Sequence, residues 1–108
     1  MNTVSADSRK SWSVSVDGRI AVLEIALLKR TYVLPWNQFD YAEGGDDEVR
    51  AVFATHEVVI RGAGLTALLA DLAAQNVTVI QEPRRADRFQ SSADRFIREL
   101  VVQKLEAG

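Results

Sequence analysis

Residues 58–80 read VVIRGAGLTALLADLAAQNVTVI and form the most regular pattern in the chain. The β-branched run at 58–60 enters a glycine-rich turn, which predicts a strand followed by a change of direction. Residues 65–75 then predict an amphipathic helix, because four leucines follow helical spacing: Leu65, Leu68, Leu69 and Leu72. Val77–Ile80 predicts the next strand. A strand, a turn, the helix Leu65–Gln75 and a second strand are therefore the frame for the rest of the chain.

The N-terminal half has the patterns of strands. Residues 11–16 alternate apolar and polar side chains, which predicts a half-buried strand. Asp17-Gly18 is typical of a tight hairpin turn, so we expect residues 19–28 to return beside that first strand. Because the return strand is almost continuously apolar, we expect both of its faces to be covered. A buried helix at 19–28 is the alternative on composition alone.

Further strands follow along the chain. Residues 31–34 are β-prone and end at Pro35, which cannot donate a ladder hydrogen bond. Residues 48–61 predict either one bent strand or two strands joined by a tight turn. The segment from Phe96 alternates as a strand does, although the spacing after residue 86 also fits an amphipathic helix. The expected fold is α+β, with a twisted, mainly antiparallel sheet of about five or six strands and helix 65–75 on one face. The sheet is expected to bend towards a small barrel.

Composition excludes several classes of function. The chain has 108 residues, a net charge of −2 and no cysteine, which excludes disulfides and cysteine-ligated metal sites. Residues 11–108 fit one domain, and the polar residues 1–10 predict a disordered tail. That N-terminal stretch has no apolar core typical of a secretion signal, and no apolar run approaches the ~20 residues of a membrane span. We therefore expect a soluble, cytoplasmic protein.

One motif resembles a cofactor site. Gly62, Gly64 and Ala67 follow a predicted strand as G-x-G-x-x-A and open the predicted helix, and Glu82 ends the next strand. This resembles the Rossmann dinucleotide fingerprint of flavin- and nicotinamide-binding enzymes. The resemblance implies that the glycines approach a pyrophosphate at the helix N-terminus and that the glutamate binds ribose hydroxyls.

A structural interpretation of the same motif is simpler. Gly62 and Gly64 let the chain reverse from strand to helix, where positive φ is wanted. The strands before residue 58 indicate antiparallel hairpins, and fewer than thirty residues follow Glu82, so a second nucleotide-binding half is missing. Parallel pairing of strand 77–82 with strand 58–61 would support the fingerprint, and any other pairing would remove its basis.

The C-terminal region offers a nucleic-acid hypothesis. Five arginines cluster there: Arg84, Arg85, Arg88, Arg95 and Arg98. Phe89 and Phe96 lie among them, so base stacking combined with phosphate contact is conceivable. Residues 83–108 carry six basic and four acidic side chains, so the positive excess is small. A solvated or partner-facing surface is the alternative, and we favour it.

Two other clusters have simple explanations. Five acidic residues gather near a predicted turn: Asp40, Glu43, Asp46, Asp47 and Glu48. They lack the ligand spacing of a calcium loop and indicate a solvated hairpin tip. His56 is the single histidine, and Glu57 beside it should face the opposite side of a strand, so a catalytic pair is not expected.

Aromatic residues in the N-terminal half indicate a contact surface. Trp36 follows Pro35 in a loop-like setting, so we expect it to be the most exposed aromatic, with Phe39 and Tyr41 nearby. We do not favour an enzyme or a bound cofactor, and no pattern predicts a metal site. The leading hypothesis is therefore a small non-enzymatic interaction module that forms a homodimer or docks on a protein partner.

Overall fold

The computed structural model describes residues 11–17, 20–84 and 95–105. These residues form eight strands and one α-helix: β1 (Trp12–Val14), β2 (Val22–Ala26), β3 (Thr31–Pro35), β4 (Phe39–Gly44), β5 (Glu48–Phe53), β6 (His56–Ala63), α1 (Thr66–Ala73), β7 (Val77–Gln81) and β8 (Phe96–Lys104). A 3-10 turn, Trp36–Gln38, connects β3 to β4. The predicted α+β class is confirmed.

The strands form two sheets of four rather than one sheet of five or six. Sheet A has the order β1-β7-β2-β3, and sheet B has the order β4-β5-β6-β8. Every neighbouring pair is antiparallel except β2 and β7, which run parallel. Each sheet keeps two edge strands, so the strands do not close into a barrel.

The expected hairpin at Asp17-Gly18 is wrong. β1 pairs antiparallel with β7, with Trp12 opposite Ile80, and β7 separates β1 from β2. Backbone bonds extend this pairing, because the Ser15 N–H donates to the Asn76 carbonyl at 2.8 Å. The local turn signal is overridden because β2 pairs with an apolar strand on each side, β3 on one and β7 on the other. The pairing with β7 is long-range.

The remaining predicted strands agree with the structure. Residues 48–61 form two strands, β5 and β6, joined by a tight turn at residues 54–55. β8 is a strand, as favoured over a helix, and it pairs antiparallel with the whole of β6, from His56 opposite Lys104 to Ala63 opposite Phe96.

One core joins both sheets and the helix. Sheet A contributes Leu23 and Ile25, and sheet B contributes Val58 and Ile60, all fully buried. The helix adds the leucine stripe, of which three members are fully buried: Leu65, Leu68 and Leu72. No polar or charged side chain is buried among the described residues. The packing is therefore driven by apolar burial, at about 25 cal/mol per Å².

The helix is shorter than the predicted Leu65–Gln75. Leu65 is the N-cap residue and Ala74 the C-cap residue, so regular helix covers Thr66–Ala73. Gln75 has φ of 57°, in the left-handed region that ends helices. No helix in the described part of the chain has the length and apolarity to cross a membrane.

Candidate functional site

The fingerprint-like segment does not form a nucleotide-binding unit. β6 belongs to sheet B and β7 to sheet A, so the two strands flanking α1 do not pair. The parallel partner of β7 is β2 instead. A dinucleotide fold needs the strands on both sides of the helix in one parallel sheet. The cofactor-site hypothesis therefore loses the arrangement on which it depended.

Asp46 fills the place where a phosphate would bind. From the β4–β5 turn its carboxylate accepts a hydrogen bond from the Gly64 N–H at 3.3 Å and from the Thr66 hydroxyl at 3.4 Å. The Asp46 carbonyl accepts a further bond from the Leu65 N–H at 2.9 Å. The start of α1 thus already has an anion, and it comes from the chain itself.

The other fingerprint residues also have structural roles. Gly62 lies at a bulge of β6, where an added Cβ would overlap the Phe96 carbonyl of β8. Gly64 has φ of 68°, which favours glycine. Glu82 accepts a hydrogen bond from the Leu28 N–H at 2.8 Å, and Ala67 packs against the core. These contacts account for the G-x-G-x-x-A motif through the backbone geometry that its positions require.

The basic residues are only partly described. Arg84 follows β7, Arg95 precedes β8, and Arg98 is exposed in β8. The Arg98 guanidinium lies 5.4 Å from the centre of the Phe96 ring, a cation–π contact. The other two arginines, Arg85 and Arg88, lie outside the described residues. Nucleic-acid binding by this group therefore stays a prediction.

The expected exposure of Trp36 is wrong. Its side chain is 4% exposed, and its indole N–H donates to the Val77 carbonyl at 3.3 Å. Its ring centre lies 5.1 Å from that of Phe39 and 5.6 Å from that of Phe53. The 3-10 turn after Pro35 directs the indole into the core. Tyr41 is 48% exposed on sheet B, and Phe39 is partly buried, so the three predicted interface residues share no surface patch.

His56 and Glu57 face opposite sides of β6. The His56 Nδ1 lies 2.7 Å from the Thr55 hydroxyl, and its ring meets Tyr32 edge-on at 5.5 Å. Glu57 instead forms an ion pair with Arg50 at 3.1 Å on the outer face of sheet B. The two side chains therefore cannot work together on one proton.

The acidic cluster is a hairpin tip beside a charged sheet face. Glu43, Asp47 and Glu48 line an open cleft of about 400 Å³ at the β4–β5 turn, with Arg50 at its side. Among the described residues, no three His, Asp or Glu side chains are placed to hold a metal ion. Glu48 also bonds Arg61 at 3.4 Å. Residues that the sequence groups together are thus divided between a turn, a helix cap and an ion-pair network.

That network runs across the outer face of sheet B, beside the apolar residues Tyr41, Val52 and Val59. Arg61 lies between Glu99, at 3.2 Å, and Glu48. Arg61 donates hydrogen bonds to Glu99 and Glu48, and these bonds, that to Glu99 first, raise its pKa above the ordinary value. Arg50 and Arg61 are thus both paired with carboxylates of the same face.

Sheet A presents a different outer surface. Leu23 and Ile25 of β2 are fully buried, so the alternate residues of the strand point outwards. The surface comprises eight residues of three neighbouring strands, named here the sheet A outer face: Val22, Glu24, Ala26, Thr31, Val33, Pro35, Val79 and Gln81. Val33 is 58% exposed and Val22 is 43% exposed. The expectation that both faces of β2 are covered is therefore wrong for the outer face in the described part of the chain.

Glu24 is the one charged residue of the sheet A outer face. It lies opposite Val33 on one side and opposite Val79 on the other. Its side chain is partly buried, and it has no hydrogen-bond or ion-pair partner among the described residues. In the sequence, Glu24 stands out as the single glutamate inside an apolar run. The run alone does not show which face of the sheet this glutamate lies on.

Comparison with known proteins gives no match. The chain matches no protein-family model, no curated protein and no solved structure. The function of the protein is therefore inferred from its own residues.

Proposed function

We propose that the protein is a non-enzymatic interaction module that docks a protein partner on the sheet A outer face. The observation that carries the proposal is the exposure of Val22 and Val33 on the outer face of sheet A. The strands of this sheet have the apolar composition that is typical of a sheet covered on both faces. No described helix or strand packs on this face. Contact with another surface would remove the apolar side chains of this face from water, which is favourable in free energy.

The size of the face fits the centre of an interface. Its three strands of five residues, at ~4.8 Å between strands and ~3.3 Å per residue, cover roughly 240 Å². Apolar patches of a few hundred Å² on a monomer are often functional. A standard interface buries about 800 Å² on each partner, so the surrounding residues must contribute a rim. Leu28, exposed in the turn between β2 and β3, lies at that rim.

The free edge of sheet A supports the same location. β3 is an edge strand with no charged residue, whereas the edge strand β8 of sheet B carries Arg98, Glu99 and Lys104. Charged side chains protect an edge from pairing with another chain. Pro35 limits pairing at the end of β3, but the rest of this edge adjoins the apolar face, and a partner can contact both.

Site-specific photo-crosslinking in the native cells tests the proposal. A photo-reactive amino acid replaces Val33 in one variant and Gln103, exposed on the outer side of sheet B, in the control. We expect a discrete adduct from position 33 and none from position 103. An adduct of about 24 kDa, twice the 12.0 kDa chain, would identify a second copy as the partner. Equal labelling from both positions, or none from position 33, would reject the proposal.

The alternative functions make different predictions. Nucleotide binding at Gly62–Ala67 would raise the melting temperature with millimolar NAD, NADP or FAD. We expect no shift, because Asp46 occupies the helix start. Nucleic-acid binding through the arginines would give retention on oligonucleotides that weakens steeply with salt. A positive result in either assay would replace docking as the best-supported function.

A further inference from the structure

We infer that the partner segment on the sheet A outer face is apolar with a single Lys or Arg, whose cation pairs with Glu24. This inference rests on the proposed docking function and specifies the chemistry of the occupant. It follows from where Glu24 lies, because the carboxylate occupies the middle of the face rather than its rim.

The neighbours of Glu24 define the requirement. Across the strands it faces Val33 and Val79, and along β2 the next outward residues are Val22 and Ala26. A wholly apolar partner would strip water from this carboxylate and leave it unpaired, which is strongly unfavourable. A partner that brings one cation restores the lost interaction while its apolar residues cover the valines.

A second copy of the chain fits this requirement poorly. Face-to-face packing about a two-fold axis through the face would bring two Glu24 carboxylates together, and like charges repel. The nearest basic residues in the described part of this sheet, Lys29 and Arg30, lie in the β2–β3 turn. Arg30 is opposite Leu27, three residues along the strand from Glu24, or roughly 10 Å. Pairing Glu24 with them would displace the two faces and leave Val22 uncovered.

The outer face of sheet B provides a contrast within the molecule. There Arg50 and Arg61 already pair with Glu48, Glu57 and Glu99. The carboxylates of these ion pairs are offset by guanidinium groups of the same face. Only sheet A combines exposed valines with a carboxylate that lacks a partner among the described residues.

An NMR titration with three small probes tests the inference on the full chain. Hexylammonium, hexanol and hexanoate share one alkyl chain and differ only in charge. We expect hexylammonium to shift the backbone amides of residues 22–26, Val33 and Val79, with an affinity about three- to fivefold above that of hexanol. Hexanoate should bind most weakly, because its charge repels Glu24.

Two variants separate a specific pair from general attraction to an acidic protein. Glu24→Val should reduce the affinity ratio of hexylammonium to hexanol at these amides to about one. This variant keeps the fold, because a β-branched residue between two valines suits a strand. Glu43→Val, which removes a carboxylate from sheet B, should leave the ratio unchanged.

The outcomes distinguish this inference from the docking proposal. Equal affinity of hexylammonium and hexanol in the unaltered chain would overturn the inference, and so would shifts confined to the acidic turn around Glu43 and Asp47. An absence of shifts at the face with all three probes would overturn it as well. Docking itself is judged separately by the adduct at Val33.

Discussion

Asp46 shows at the scale of one residue how an apparent ligand site is already occupied. Its carboxylate connects the β4–β5 turn to the start of α1 through the Gly64 N–H and the Thr66 hydroxyl. The neighbouring Asp47 contributes only its backbone carbonyl, to the Gly62 N–H. The sequence placed these acids in one cluster because spacing along the chain does not reveal which way each side chain turns.

This difference gives a matched pair of substitutions. Asp46→Ala should lower the free energy of unfolding by about 1 kcal/mol, since the Gly64 N–H and the Thr66 hydroxyl lose their acceptor. Asp47→Ala removes the same charge and keeps the backbone bond, so its effect should be within ~0.5 kcal/mol. Urea denaturation measures both. Equal losses would show that charge, rather than these two hydrogen bonds, is responsible.

Gly62 provides a second residue-scale prediction. An added Cβ would overlap the backbone of Phe96, which cannot move away without breaking the β6–β8 pairing. Gly62→Ala should therefore cost at least about 2 kcal/mol. Gly45→Ala is the control, because nothing lies near an added Cβ there. Chemical denaturation of both variants tests this, and a near-neutral Gly62→Ala would argue against the bulge.

A substitution at the C-terminal end of α1 should raise the stability of the protein. Gln75 adopts a left-handed conformation that a side chain disfavours by roughly 1 kcal/mol, so Gln75→Gly should stabilise the protein by about 0.5–1 kcal/mol. Ala74 has φ of −80° and no such strain, and Ala74→Gly should destabilise the fold. Melting temperatures of the two variants should move in opposite directions. Movement in the same direction would contradict the assigned helix end.

At the scale of elements, the sequence predicted the structure where the residues of a single helix or strand form a regular pattern by themselves. The leucine stripe found α1, and the β-prone runs found β3, β7 and β8. The prediction was wrong for the 17–18 hairpin and for the exposure of Trp36, because tertiary packing decided both. A turn signal states that the chain can reverse, but the neighbour of β1 is chosen by the apolar surface that it covers.

The 3-10 turn after β3 is an element whose role can be tested. Trp36 joins β4 and β5 through Phe39 and Phe53. Trp36→Ala should cost about 3–5 kcal/mol, because it empties a buried site, whereas Tyr41→Ala on the open side of sheet B should cost far less. Denaturation curves compare the two. Similar small losses would show that Trp36 is not part of the core.

At the scale of the molecule, two sheets share one core, and their relation depends on long-range pairing. β2 and β7 lie parallel although their paired residues, such as Glu24 and Val79, are 55 positions apart, and no local pattern reports such a contact. The proposed docking surface was equally hidden. Whether an apolar strand is covered on one face or on two depends on the whole assembly, so the sequence indicated an interaction module without locating its face.

The central claim is that a partner covers the sheet A outer face. The most direct measurement is the yield of the Val33 photo-adduct in native cells when charge is added to either sheet. Val22→Asp, on the same face, should abolish the adduct, and Tyr41→Asp, on sheet B, should leave it unchanged. An adduct that persists with Val22→Asp, or that is lost equally with both variants, would contradict the claim.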